Sequence, residues 1–119
     1  MARKRYIVEI GTGIDLHGGD VTKAAQRAIG DAISRSCLCG LFDIIGLKDP
    51  NQMDIEVKVA CPYPEKVNPQ KALQAIPFGS ARIELVSGGL TARGLELPEL
   101  GEGDTVVVAV AALTVYVEV

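Results

Sequence analysis

The segment Gly11-Thr12-Gly13-Ile14-Asp15-Leu16-His17-Gly18-Gly19-Asp20 gathers much of the chain's potential chemistry. It sets the single histidine, His17, between two carboxylates, Asp15 and Asp20, and Thr22, Lys23 and Arg27 follow. A carboxylate beside an imidazole is a usable acid–base pair near neutral pH. Backbone N–H groups at a helix start favour anions, and Lys23 and Arg27, one turn apart, add positive charge on one helix face. The expectation is a small polar or anionic ligand held by Gly13, Asp15, Thr22, Lys23 and Arg27, with His17 as a base. The same residues also read as a glycine-rich connection with a surface histidine and a capping aspartate. The glycine spacing lacks the third glycine of a dinucleotide fingerprint, and no Gly-Lys-Ser/Thr follows as in a P-loop. Asp15, His17 and Asp20 are ligand types for a divalent ion. Three such groups on one loop do not define a metal site, and no cofactor is indicated. Cys37, Cys39 and Cys61 lack the paired spacing of structural zinc.

Two further places carry reactive groups. Lys58 lies on the polar side of an alternating strand, two residues from Glu56. It reads as half of an ion pair or, in an oligomer cleft, as a desolvated base. Ser87-Gly88-Gly89 ends another strand. It reads as a glycine turn or as a nucleophile beside N–H groups of Gly88 and Gly89 that would hold an oxyanion.

The elements that must position these residues follow from periodicity. Strands are expected at 5–10, 53–61, 81–87 and 104–118, where apolar residues alternate or run continuously. Residues 11–20 are expected as a loop, and 90–101 as a loop or short extension. A helix over 21–38 has Asp20 as N-cap and a stripe of Val21, Ala24, Ala25, Ala28, Ile29, Ala32, Ile33 and Cys37. The alanines on that stripe allow close approach to a sheet. A second helix over 69–76 follows Asn68 and Pro69. The order β-α-β-α-β-β gives one α+β domain over 1–119: a single-layer mixed four-stranded sheet with two helices on one face.

Helices on one face leave the other uncovered. That face is expected to carry Glu9, Asp54, Glu56, Lys58, Arg82 and Glu84 beside an apolar set from the last strand. Such a surface favours a homo-oligomer, because burying roughly 300 Å² of it contributes on the order of 7 kcal/mol before association costs.

The chain has 119 residues, net charge −3, 4% aromatic residues and no tryptophan. A nucleic-acid binder needs a basic field and stacking platforms, so that class is excluded as an expectation. The apolar run from Thr105 to Val117 is shorter than the about 20 residues of a membrane helix and is β-branched. The basic start, Met1 to Arg5, is not followed by a signal-peptide core, and three cysteines fit free thiols in a reducing compartment. A cytoplasmic location is expected.

Several stretches carry a resemblance over nearly the whole chain: Gly11 to Gly18, Thr22-Lys23-Ala24-Ala25, Arg27-Ala28, Pro62-Tyr63-Pro64-Glu65 and Gly88-Gly89-Leu90. Together they identify the chain as a member of an uncharacterised family of short prokaryotic proteins first named after a Listeria open reading frame. The family implies no activity. The element order resembles the chorismate-mutase-like and RidA-type domains, which implies a trimer with ligand sites between subunits. A weaker resemblance, carried by Ser87-Gly88-Gly89 and Thr22-Lys23-Ala24, is to the repeats of the ring-opening cyclic amide hydrolases. It implies a Lys58–Ser87 pair across a subunit boundary and hydrolysis of a cyclic amide. The non-catalytic alternative is a regulatory or assembly module.

Overall fold

The computed structural model describes residues 1–100 and 103–119. Five strands form one mixed sheet: β1 (Arg3–Asp15), β2 (Asp54–Cys61), β3 (Ser80–Ser87), β4 (Leu90–Arg93) and β5 (Thr105–Glu118). The helices are α1 (Val21–Ser34), α2 (Cys39–Asp43) and α3 (Pro69–Leu73). The α+β class holds, and the four-strand count is corrected to five. The extra strand is β4, inside the segment read as a loop or short extension; Gly101 of that segment lies outside the described residues. All four β4 residues are exposed, so no burial alternation marks it.

The sheet order is β1-β5-β2-β3, with β4 continuing the β2 side of β5. β5 is antiparallel to β1, β2 and β4, while β2 and β3 are parallel. A central position explains why β5 is apolar on both faces over most of its length.

The largest correction concerns β1. It runs to Asp15, not Ile10, so Gly11 and Gly13 are strand residues rather than loop residues. A register shift falls between Arg5 and Ile7. Beyond it Glu9, Gly11, Gly13 and Asp15 face α1, while Val8, Ile10 and Ile14 stay exposed. The assignment of Glu9 to the uncovered face is therefore reversed. The cause is the closeness of α1. A Cβ on Gly11 would lie 2.3 Å from the Ala32 nitrogen, and one on Gly13 would lie 2.0 Å from the Ala24 oxygen. Only glycine fits beneath helix backbone at that distance, and Ala24, Ala28 and Ala32, all fully buried, complete a seam of small residues.

Asp20 caps α1 by accepting from Lys23 N–H at 3.1 Å, as its type predicts. The helix ends at Ser34, four residues before the expected limit, and α2 follows as a separate short helix. Asn68 caps α3, which ends at Leu73. The core lies between α1 and the sheet and includes Ile29, Leu41, Val57, Val59, Val107 and Leu113.

Among the described residues, only one sheet face is covered. The molecule is long and thin, 53 × 23 × 19 Å, with a radius of gyration of 16.0 Å. A compact chain of this length would have about 13.5 Å. Its accessible surface of 7057 Å² exceeds the about 6,200 Å² expected for a monomer of this mass.

Candidate functional site

The sequence-predicted residues fall into four places rather than three, because Thr22 and Lys23 part from Asp15 and Arg27. At the start of α1, the Asp15 side chain is buried. Its Oδ2 accepts from Asp20 N–H at 2.8 Å, and its Oδ1 lies 3.5 Å from Arg27 Nη1. Arg27 also donates to the Ile14 carbonyl at 2.6 Å. Gly13 lies beneath the helix, with its Cβ position occupied by α1 backbone. The chain's own carboxylates thus occupy the N–H groups of Asp20 and Lys23 that an anion would use, and this cluster is a clasp joining β1 to α1. His17 is partly buried, and its Nδ1 is shielded from solvent without a hydrogen-bond partner. The expected Asp15–His17 pair is not formed, because the Asp15 oxygens are engaged by Asp20 and Arg27. Among the described residues, no three His, Cys, Asp or Glu groups are placed to hold a metal ion.

Thr22 and Lys23 face a different place, a polar groove between α1 and α3 shared with Gln26, Asn68 and Lys71. Its polar groups tie the two helices together. Thr22 Oγ1 accepts from Asn68 N–H at 3.0 Å, and Gln26 Nε2 donates to the Lys71 carbonyl at 2.7 Å.

The third place is a wide notch of about 540 Å³, where Pro62-Tyr63-Pro64-Glu65 meets Ser87-Gly88-Gly89 and Thr91. These two motifs are separate in sequence, and strand pairing of Cys61 with Ser87 brings them together. Tyr63 is the only non-glycine residue with a left-handed backbone among the described residues, at φ 52°. Such a conformation costs on the order of 1 kcal/mol or more and persists only where its surroundings impose it. Gly89 has φ 64°, and a Cβ there would lie 2.0 Å from the Val108 oxygen. Gly88 N–H already donates to the Cys61 carbonyl at 3.2 Å, which corrects its reading as an oxyanion donor.

The fourth place is the uncovered sheet face. Lys58 is exposed there, opposite Glu84 across the β2–β3 pair. Ser87 pairs with Cys61, which is buried on the helix side, so Lys58 and Ser87 point to opposite faces and lie about 10 Å apart along the strands. One chain does not bring them together.

Beside Lys58 runs an ionic network that spacing alone does not reveal. Asp54 accepts from Arg3 Nη2 at 2.9 Å and Arg82 Nη1 at 3.1 Å, and Glu56 accepts from both arginines at 3.1 Å. The Arg3 guanidinium stacks 3.5 Å from the Tyr116 ring centroid. Arg3 sits 51 residues from Asp54, so only the sheet order could disclose the pairing. Partial burial pushes Asp54 and Glu56 up, but hydrogen bonds from Arg3 and Arg82 outweigh it, and both carboxyls lie below their ordinary range. Asp31 is likewise lowered, by the Thr12 N–H and then by Arg35. Groups lowered in the folded state stabilise it fully above their ordinary values, and that contribution is lost as pH falls through the folded values. Stability against urea should therefore fall as pH drops below about 4, and Arg82→Ala should flatten that fall. A midpoint independent of pH between about 5 and 2.5 would contradict the network.

The fold and these sites define an α+β protein with one covered and one bare sheet face. The chain belongs to the family described as Conserved hypothetical protein (Lin0512_fam), which it matches over residues 5–115. It is similar to a solved structure from Nostoc punctiforme PCC 73102, described as an FtsZ-like protein of unknown function. Identity is 46%, over 100% of this chain and 99% of that one, with a TM-score of 0.89. No curated protein matches. The family and the structural relative are both of unknown function. No helix among the described residues is long and apolar enough to cross a membrane.

Proposed function

We propose that the protein is a self-assembling subunit that binds a small polar molecule where subunits meet. The observation that carries this reading is the bare sheet face. Val8, Ile10, Ile14 and Val110 are 48%, 53%, 44% and 37% exposed there, alongside the Arg3–Asp54–Arg82–Glu56 network. Contiguous exposed apolar surface rimmed by polar groups marks an interaction site. The occupant is a second copy of this chain. The face carries both charge signs, with Lys58 and Arg82 next to Glu56 and Glu84, so a rotated copy can complement it. Strand lengths and spacings give a face of about 800 Å², the area each partner contributes to a standard interface. The RidA-like and chorismate-mutase-like resemblance suggests a ring of three.

The notch at Tyr63 and Ser87-Gly88-Gly89 borders this face through Leu90, which pairs with Val108 beside Ile14, while its Ser87 lies toward the helix side. A neighbouring copy would wall it. Its hydroxyls from Tyr63, Ser87 and Thr91, with the Glu65 carboxylate, suit a polar ligand bearing hydrogen-bond donors, such as an amide.

Sedimentation equilibrium tests the reading. The wild type should have about three times the monomer mass, and Ile10→Lys should return it to 12.6 kDa. A wild-type monomer at micromolar concentration overturns the proposal. A thermal-shift screen with small cyclic amides should give a response that the Ile10→Lys monomer loses. A response the monomer keeps would remove the subunit boundary from the site.

A further inference from the structure

The helices do not cover the whole of the sheet's inner face. α1 has 14 residues and spans about 21 Å, whereas the 14 residues of β5 reach about 46 Å. Beyond Ser34 the chain crosses the strands as a loop and the short α2, and it leaves a cavity of about 320 Å³. The floor is Ile55, Leu113 and Val115, with Ile33 along one side. Phe42 and Phe78, 44% and 49% exposed, stand at its mouth. The volume lies at the small end of the about 300–1,000 Å³ of ligand pockets.

Among the described residues, one acidic group lines this apolar space. Glu9 projects from β1 into it and is 8% exposed. Its carboxylate accepts from the Ser36 hydroxyl. Among the described residues, no lysine, arginine or histidine lines the cavity. A shielded carboxylate with a hydroxyl as partner lacks the compensating cation that burial of such a group calls for. Apolar walls, two half-exposed aromatic rings and an unmatched acid describe a receptor for an amine on an apolar body. The ammonium would donate to Glu9, and the body would fill the space between Ile33, Leu113 and Phe78.

We infer that this cavity is a binding site for a small amphipathic amine, with Glu9 as its counter-ion. The site lies on the covered face and does not depend on self-assembly. The test uses 2-phenylethylamine and its neutral counterpart 2-phenylethanol as probes, titrated into ¹⁵N-labelled protein. The amine should shift the amides of Ser36, Phe42 and Phe78, and it should bind at least about tenfold more tightly than the alcohol, because its head group makes a charge-assisted bond. Glu9→Gln should abolish that preference while the alcohol still binds. Phe78→Ala, at an exposed position, should weaken both probes and keeps the test intact if Glu9→Gln fails to fold. Equal affinity for the two probes in the wild type overturns the inference. So does binding of neither at millimolar concentration, or shifts confined to another surface.

Discussion

Gly13→Ala is expected to cost at least about 3 kcal/mol of folding stability, read as a fall in the urea midpoint or as loss of the folded protein. The added methyl would lie 2.0 Å from the Ala24 oxygen and 2.2 Å from the Ala28 nitrogen. Both are backbone atoms in the middle of α1, so no side chain can swing aside. The helix must lift from β1, and the packing of Ala24, Ala28 and Ala32 goes with it. Gly30 supplies the contrast. It lies within the same helix, and a methyl added there would meet nothing within 4 Å. Gly30→Ala should therefore raise stability by about 0.5–1 kcal/mol through helix propensity and a less flexible unfolded chain. A Gly13→Ala protein as stable as the wild type would mean that α1 does not lie against β1 as described.

Asp15→Ala is expected to cost about 2–3 kcal/mol, because a buried acceptor is removed and the Asp20 N–H loses its partner. Asp15→Asn, which keeps an acceptor oxygen, should recover part of that loss. Arg27→Ala should cost less than Asp15→Ala, since the Arg27 side chain is 54% exposed and its ion pair is screened by water. His17→Ala should change stability little, because its Nδ1 makes no hydrogen bond. Denaturation midpoints of the four variants give the order directly. If Arg27→Ala proves the most damaging, the clasp is held from its exposed side and the assignment to Asp15 is wrong.

Much of the fold is legible in the sequence because its devices are local. Asp20 and Asn68 announce their helices as capping residues, and the alanine stripe announces a helix lying close to a sheet. The alternation of Met53 to Cys61 announces β2. The first strand escapes such a reading for a definite reason. Glycine usually signals a loop, whereas Gly11 and Gly13 are glycine because another element's backbone occupies their side-chain space. That requirement belongs to α1, not to β1, so no window within the strand contains it. Once those two residues are placed in the strand, Glu9 turns inward and Ile10 outward. The cavity acid cannot be found before that reversal. The same limit applies to the candidate sites. Pro62-Tyr63-Pro64 and Ser87-Gly88-Gly89 are both conspicuous, but only the parallel pairing of β2 with β3 joins them. Thr22 and Arg27 suggest a shared ligand because they follow one loop. They leave α1 in different directions, one toward α3 and one toward the Ile14 carbonyl.

The pairing of β1 bears on how the chain reaches its native state. Among the described residues β1 bonds to β5 alone, and about ninety residues separate Asp15 from Thr105. During synthesis the first strand must therefore wait, with its backbone N–H and C=O groups unpaired, until its mate emerges from the ribosome. Ordered structure at the amino-terminal end would arrive late and all at once, and a stalled or truncated nascent chain would present a sticky, unmatched ribbon to whatever chaperone stands nearby.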